Sequence, residues 1–188
     1  MSSAIDERQL PKMNAGARSK LKRLWQMGDL FHNSARYPHK RDALPTDRLA
    51  GILRRGILAP AACDDGSVCS DLTIIATGFA VPYDSLVFLH RFGQQSFLYT
   101  FSEPGRFTVL VDPATPVLTQ AEMGQKWVVL CRDEVYVRER VPVEQLIGVV
   151  VHPADADAVL AEFLPDLERL EIPLYLYDGT VVWPRDGE

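Results

Sequence analysis

The side chains best suited to chemistry lie in two short segments of the chain. His32 falls in an apolar strand pattern at 29–34 that runs out into a polar loop, and Glu134 opens a second strand pattern at 134–139. A carboxylate stabilises positive charge that develops in a transition state. An imidazole donates or accepts hydrogen bonds while it stays largely neutral at pH 7. By residue type alone, Glu134 also fits an exposed charge at the edge of a strand, and His32 fits a structural histidine.

Most standard catalytic motifs are absent from the sequence. It contains no G-x-x-x-x-G-K-[ST], G-x-G-x-x-G, H-E-x-x-H or G-x-S-x-G. P-loop, Rossmann, zincin and α/β-hydrolase functions are therefore not expected. The four histidines lack metal-ligand spacing and the three cysteines lack a C-x-x-C pair, so we expect no metal site.

The elements that must position His32 and Glu134 follow one another in a clear order. A helix is predicted near 47–55, where leucine and isoleucine recur at helical spacing and Gly56 provides a left-handed stop. The rest of the chain is dominated by runs of β-branched and aromatic residues, which favour strands. These predicted strands lie at 73–81, 85–89, 96–102, 106–112, 126–131, 134–139 and 146–152.

The C-terminal part predicts a helix and a hairpin. An amphipathic pattern at 155–170, interrupted by Pro165, predicts a helix or a kinked helix pair. Asp178-Gly179 is a preferred two-residue hairpin turn. It joins predicted strands at 174–177 and 180–183.

The order of these segments resembles the ADP-ribosyltransferase fold. In that family an early strand ends in a histidine followed by a small polar residue, and a helix ending in a glycine stop comes next. A later strand opens with a glutamate and leads through a Val-Pro turn into an Ile-rich strand. The matching segments here are Phe31-His32-Asn33-Ser34, LAGILRRGIL at 49–58, SVCSD at 67–71, and DEVYVRERVPVEQLIGVVV at 133–151.

The resemblance implies an α+β fold, a split β-sandwich of two mostly antiparallel sheets with flanking helices and NAD⁺ in the cleft between the sheets. It makes Glu134 the carboxylate that stabilises an oxocarbenium-like ribose. His32 would act beside it and bind the adenine-side ribose. The remaining NAD⁺-binding candidates that it implies are Asn33, Ser34, Arg54, Arg55, Ser70 and Tyr99.

Two features leave details of the site open. Family members that modify arginine commonly carry Glu or Gln two residues before the catalytic glutamate, whereas Arg132 stands there in this chain. An arginine acceptor is therefore disfavoured. The string Gln120-Ala121-Glu122 is itself a Q-x-E pair, so Glu122 competes with Glu134 for the catalytic role.

Composition and charge bound the class of protein. The 188 residues suit a basic tail or surface helix at 1–23 and one domain at 24–188. Residues 1–56 hold 12 Lys and Arg against 5 Asp and Glu, whereas residues 57–188 hold 8 against 20. The basic part is either a solvated arm or a contact for an anionic ligand. Without a signal peptide or membrane span, we expect a cytoplasmic protein with no membrane partner.

Three functions remain open. The first is transfer of ADP-ribose from NAD⁺ to a macromolecular acceptor, nucleic acid or protein, by a bacterial toxin or defence effector with an antitoxin or immunity partner. The second is a non-catalytic binding module of the same fold. The third is an NAD⁺-dependent RNA 2′-phosphotransferase, which calls for clustered arginines and a histidine around a phosphate.

Overall fold

The computed structural model describes residues 30–33, 45–59, 62, 85–91, 104–119, 121–122 and 134–184. Two α-helices and nine β-strands lie in these ranges, together with two short 3-10 helices at Val143–Gln145 and Pro153–Asp155. The α-helices are α1 (Pro45–Arg55) and α2 (Ala156–Leu170). The strands are β1 (Leu30–Asn33), β2 (Ile57–Leu58), β3 (Leu86–Arg91), β4 (Phe107–Val111), β5 (Glu134–Arg138), β6 (Arg140–Val141), β7 (Leu146–Val151), β8 (Leu174–Leu176) and β9 (Val181–Trp183).

Seven of these strands form one open sheet in the order β5-β3-β1-β4-β7-β8-β9. Its neighbours are antiparallel except β7 and β8, which run parallel because α2 crosses over between them. Leu118 also forms an isolated antiparallel bridge with Tyr136 on the outer edge of β5. The short strands β2 and β6 pair separately as a two-stranded sheet.

Both helices pack against one face of the large sheet, called here the helix face. Leu49 and Leu53 of α1 share one apolar core with Phe163 and Leu167 of α2, since residues four apart lie on the same side of a helix. Side chains of alternate strand positions complete this core, because a strand points successive side chains to opposite faces. Those strand side chains include Leu30, Val87, Leu89, Val109, Val149 and Leu174.

The other face of the sheet, called here the glutamate face, carries the intervening strand residues. Leu86, Phe88 and Tyr136 form a separate buried cluster there, and Leu118 packs against it. Phe31 and Leu110 are paired across β1 and β4 on this face and are also buried. Both faces of the central strands are therefore shielded from solvent.

The structure confirms a mixed α/β fold with a mostly antiparallel sheet. The predicted helix at 47–55 is found as α1, which begins two residues earlier, and the hairpin around Gly179 is found as β8 and β9. The described strands form a single large sheet and one two-stranded sheet, and no sandwich of two packed sheets is seen within the described ranges. The predicted strands at 73–81, 96–102 and 126–131 and the tail at 1–23 lie outside those ranges.

Pro165 does not divide the C-terminal helix into a pair. Helix α2 is continuous from Ala156 to Leu170 and contains Pro165 at an exposed position. The helix ends at Glu171, whose left-handed φ of 54° lets the N–H of Ile172 bond the carbonyl of Leu167. The apolar stripe on the core side is thus strong enough to hold one helix through a proline.

Candidate functional site

Glu134 begins β5 and is a buried carboxylate, with 4% of its surface exposed. Its Oε1 accepts a hydrogen bond of 2.6 Å from the Tyr136 hydroxyl. The two side chains lie on the same face because they are two residues apart in one strand. Tyr136 is itself fully buried. The hydroxyl therefore holds the carboxylate in one orientation.

Aromatic side chains from two neighbouring strands surround this pair on the glutamate face. His90 of β3 is directly opposite Glu134 and also directly opposite Phe31 of β1. The rings of Phe31 and His90 lie 5.7 Å apart, and Phe88 meets Tyr136 edge to face at 5.1 Å. Glu134 thus starts a band of hydrogen-bonding and aromatic groups across three strands.

His32 is buried and neutral near pH 7. Its Nδ1 lies 3.1 Å from the Phe88 carbonyl oxygen. A carbonyl only accepts, so Nδ1 carries the proton and Nε2 of the neutral ring is left as an acceptor. The pKa of His32 is lowered from 6.5 to about 4, mainly by burial. The bond to Phe88 raises the pKa in part, and the nearby His90 and Arg48 contribute to lowering it. The prediction that His32 is neutral at pH 7 agrees with this lowered pKa.

His32 and Glu134 project from opposite faces of the sheet. Directly opposed residues on neighbouring strands share a face, and consecutive residues alternate between faces. Glu134 is paired with His90, and His90 with Phe31, so these three side chains share the glutamate face. His32 follows Phe31 in β1 and is opposite Val109, which belongs to the helix-face core. Strand β3 also lies between their two strands. The described residues therefore do not bring the two candidates into one pocket.

The other predicted NAD⁺-binding residues are scattered or lie outside the described ranges. Arg54 and Arg55 are exposed in the last turn of α1, where a cation also suits the helix dipole. Asn33 ends β1 opposite Thr108. The candidates Ser34, Ser70 and Tyr99 are not among the described residues.

Glu122, the competing carboxylate, has a different environment from Glu134. It is exposed in a turn, and its Oε2 accepts hydrogen bonds of 2.7 Å from both the backbone N–H and the hydroxyl of Thr119. These bonds lower the pKa of Glu122. Glu122 is thus an exposed carboxylate held by its own turn, whereas Glu134 is a buried carboxylate held by a neighbour in its strand.

Sequence reasoning missed the partners of Glu134. Tyr136 is an ordinary strand residue by composition, and His90 belongs to a strand far away in the chain. The spacing of two residues between Glu134 and Tyr136 was the one signal that could have joined them. No sequence signal indicates His90, because its place opposite Glu134 depends on the pairing of β3 with β5.

No protein-family model, curated protein or solved structure matches the chain. The described residues contain no group of three or more His, Cys, Asp or Glu side chains able to hold a metal ion. None of the described helices is long and apolar enough to cross a membrane.

Proposed function

We propose that this chain is an NAD⁺-dependent ADP-ribosyltransferase that modifies a macromolecule, with Glu134 as the catalytic carboxylate. The observation that supports this most directly is the buried pairing of Glu134 with the Tyr136 hydroxyl at 2.6 Å. A carboxylate fixed in a water-poor environment interacts more strongly with developing positive charge than one in solvent. The split sandwich of two sheets belongs to the same proposal, with the NAD⁺ cleft along the glutamate face.

The reaction breaks one bond and forms another at the nicotinamide-side ribose. The bond between C1′ and the nicotinamide nitrogen breaks, and its electron pair leaves with neutral nicotinamide. A nucleophilic atom of the acceptor then bonds to C1′ and releases its proton. Glu134 stabilises the oxocarbenium-like ribose between these events and orients its 2′-hydroxyl, as a carboxylate does in glycoside hydrolysis.

The part of His32 in this proposal is separate from that of Glu134. Its neutral ring, with Nε2 as an acceptor, suits a hydrogen bond from a ribose hydroxyl. The two side chains lie on opposite faces of the sheet, with β3 between their strands. Glu134 and His32 must therefore be tested by separate variants.

A non-catalytic binding module is the second candidate function. Burial strengthens the interaction of Glu134 with nearby charges, but it also leaves only 4% of the residue exposed to a ligand. A carboxylate that is held by Tyr136 as part of the packing needs no substrate. This candidate predicts NAD⁺-independent binding and no turnover.

The test is to measure nicotinamide release and NAD⁺ consumption by the purified protein, with single-stranded DNA, RNA or cell lysate as acceptor. We expect Glu134→Gln to lower turnover by at least about a hundredfold, since it removes the stabilising charge. Glu162→Gln is the matched control, because Glu162 is exposed on α2. Loss of turnover in Glu122→Gln, but not in Glu134→Gln, would assign the catalytic role to Glu122. Absence of both turnover and NAD⁺ binding with every acceptor would refute the transferase proposal and favour the binding module.

A further inference from the structure

A groove of about 370 Å³ lies beside β5, and its lining includes Tyr136, the hydrogen-bond partner of Glu134. Its walls come from the loop that bridges to Tyr136 through Leu118, from the end of β5, and from the segment leading to β7. The volume is within the range of small-ligand sites. The lining residues that matter here are Thr115, Pro116, Val117, Arg138, Arg140 and Gln145.

Four polar side chains of this groove, those of Arg138, Arg140, Gln145 and Thr115, make no hydrogen bonds within the described parts of the chain, whereas the lining Tyr136 hydroxyl bonds Glu134. Arg138 and Arg140 are exposed, and neither forms a hydrogen bond or ion pair with any residue in the described parts of the chain. The same is true of the half-buried Gln145 amide. The Thr115 hydroxyl is buried, with 4% of the residue exposed, and has no partner within the described ranges. These two guanidinium groups, the amide and the hydroxyl can therefore donate hydrogen bonds to a ligand.

Neighbouring acidic residues form no ion pair with the two arginines in the described parts of the chain. Glu139 separates them in sequence and Glu144 lies in the following 3-10 helix, yet neither forms an ion pair with a described residue. Glu139 has a left-handed φ of 63°, and its N–H bonds the carbonyl of Ser85. The chain thus turns sharply between Arg138 and Arg140, and both residues still line one groove.

We propose that this groove binds a phosphate group of a nucleotide or of a nucleic-acid strand. A guanidinium presents a planar fork of donors that matches the oxygens of a phosphate and binds them in pairs. Two forks, an amide and a hydroxyl supply the donors, and the Pro and Val side chains supply apolar contact for the rest of the ligand. An acidic protein of net charge −5 repels anions in general, so binding depends on these local groups. This inference does not rest on the proposed transferase activity.

Binding is tested by calorimetry with inorganic pyrophosphate and with ADP, and by fluorescence anisotropy with a labelled short single-stranded DNA. The double variant Arg138→Gln/Arg140→Gln should weaken binding of the responsive probe by at least about tenfold. Arg138→Lys/Arg140→Lys keeps the charge and removes the forks, so its affinity should lie between those of wild type and the Gln variant. Since the arginines are exposed and unbonded, both variants should retain the wild-type thermal midpoint and circular dichroism spectrum.

The outcomes separate this site from the transferase site. A response to ADP or pyrophosphate that the Gln pair weakens assigns a small nucleotide ligand, and a response to DNA alone assigns a nucleic-acid strand. Glu162→Gln, at an exposed position of α2, is the control and should leave either affinity unchanged. The binding measurements use no NAD⁺, so a failed NAD⁺ assay has no bearing on their result. Binding that is equal in wild type and in the Gln pair, or no binding of any of the three probes, would overturn the proposal.

Discussion

The hydroxyl of Tyr136 donates a hydrogen bond of 2.6 Å to Oε1 of Glu134 within a single strand. Both residues are buried on the glutamate face, and the Phe88 ring meets the Tyr136 ring edge to face. A strand is a rigid support for such a pair, since its side-chain directions are set by the sheet. Tyr136 is therefore a positioning residue for Glu134 in the proposed reaction.

Removal of this hydroxyl is the first prediction. Tyr136→Phe keeps the ring and its packing but takes one donor from a buried carboxylate, so the free energy of unfolding should fall by about 1 to 2 kcal/mol. If Glu134 is catalytic, kcat for nicotinamide release should fall by about tenfold or more while KM changes little. Chemical denaturation and steady-state kinetics measure the two effects. A variant with wild-type kcat would show that Tyr136 does not position Glu134.

The second prediction concerns the pH dependence of stability. Burial lowers the pKa of His32 in the folded protein to about 4, whereas its ordinary value is 6.5. Between these values the unfolded chain binds a proton that folded His32 does not. The contribution of His32 to stability is therefore complete above pH 6.5 and is lost as the pH falls towards 4, with a slope of about 1.4 kcal/mol per pH unit.

Denaturation curves of wild type and His32→Gln between these pH values isolate this contribution. Glutamine does not titrate and can still donate to the Phe88 carbonyl. The difference between the two free energies of unfolding should shrink as the pH falls, because only the wild type loses the contribution of neutral His32 to stability. Parallel curves would contradict the buried neutral state of His32.

The third prediction is a contrast between two glycines of the same region. Gly56 has a φ of 81°, and a Cβ built there would lie 2.1 Å from the Val141 carbonyl oxygen in β6. Gly56→Ala should therefore lower the free energy of unfolding by more than about 2 kcal/mol. A Cβ at Gly51, inside α1, would lie 3.6 Å from the Arg55 side chain, which is an ordinary van der Waals contact. Gly51→Ala should raise stability by about 0.5 to 1 kcal/mol, and a loss at Gly51 as large as that at Gly56 would refute the steric explanation.

The local elements could be predicted from the sequence, but the site could not. The α1 pattern and the strand patterns at β4, β5 and β7 are set by residue type and periodicity, which act within a few residues. The face on which His32 lies depends on the register of β1 between β3 and β4. A shift of register by one residue would exchange its face with that of Phe31. The separation of His32 from Glu134 therefore follows from long-range pairing that no local pattern encodes.

The last prediction concerns the contact that joins the ends of the two helices. Arg169 of α2 donates from Nη2 to the carbonyl of Leu53 at 3.0 Å and to Asp166 Oδ1 at 2.7 Å. The Leu53 carbonyl lies in the last turn of α1, where the backbone carbonyls have no N–H donor within the same helix. Arg169→Met keeps the aliphatic stem and removes both bonds.

We expect Arg169→Met to lower the free energy of unfolding by about 1 kcal/mol, because the ion pair itself is half exposed and contributes little. Asp166→Asn should cost less, since it removes the charge pairing and leaves the bond to Leu53. Urea denaturation of both variants and of the double variant separates the two bonds. An Asp166→Asn loss equal to that of Arg169→Met would mean that the ion pair, rather than the cap on α1, is what Arg169 supplies.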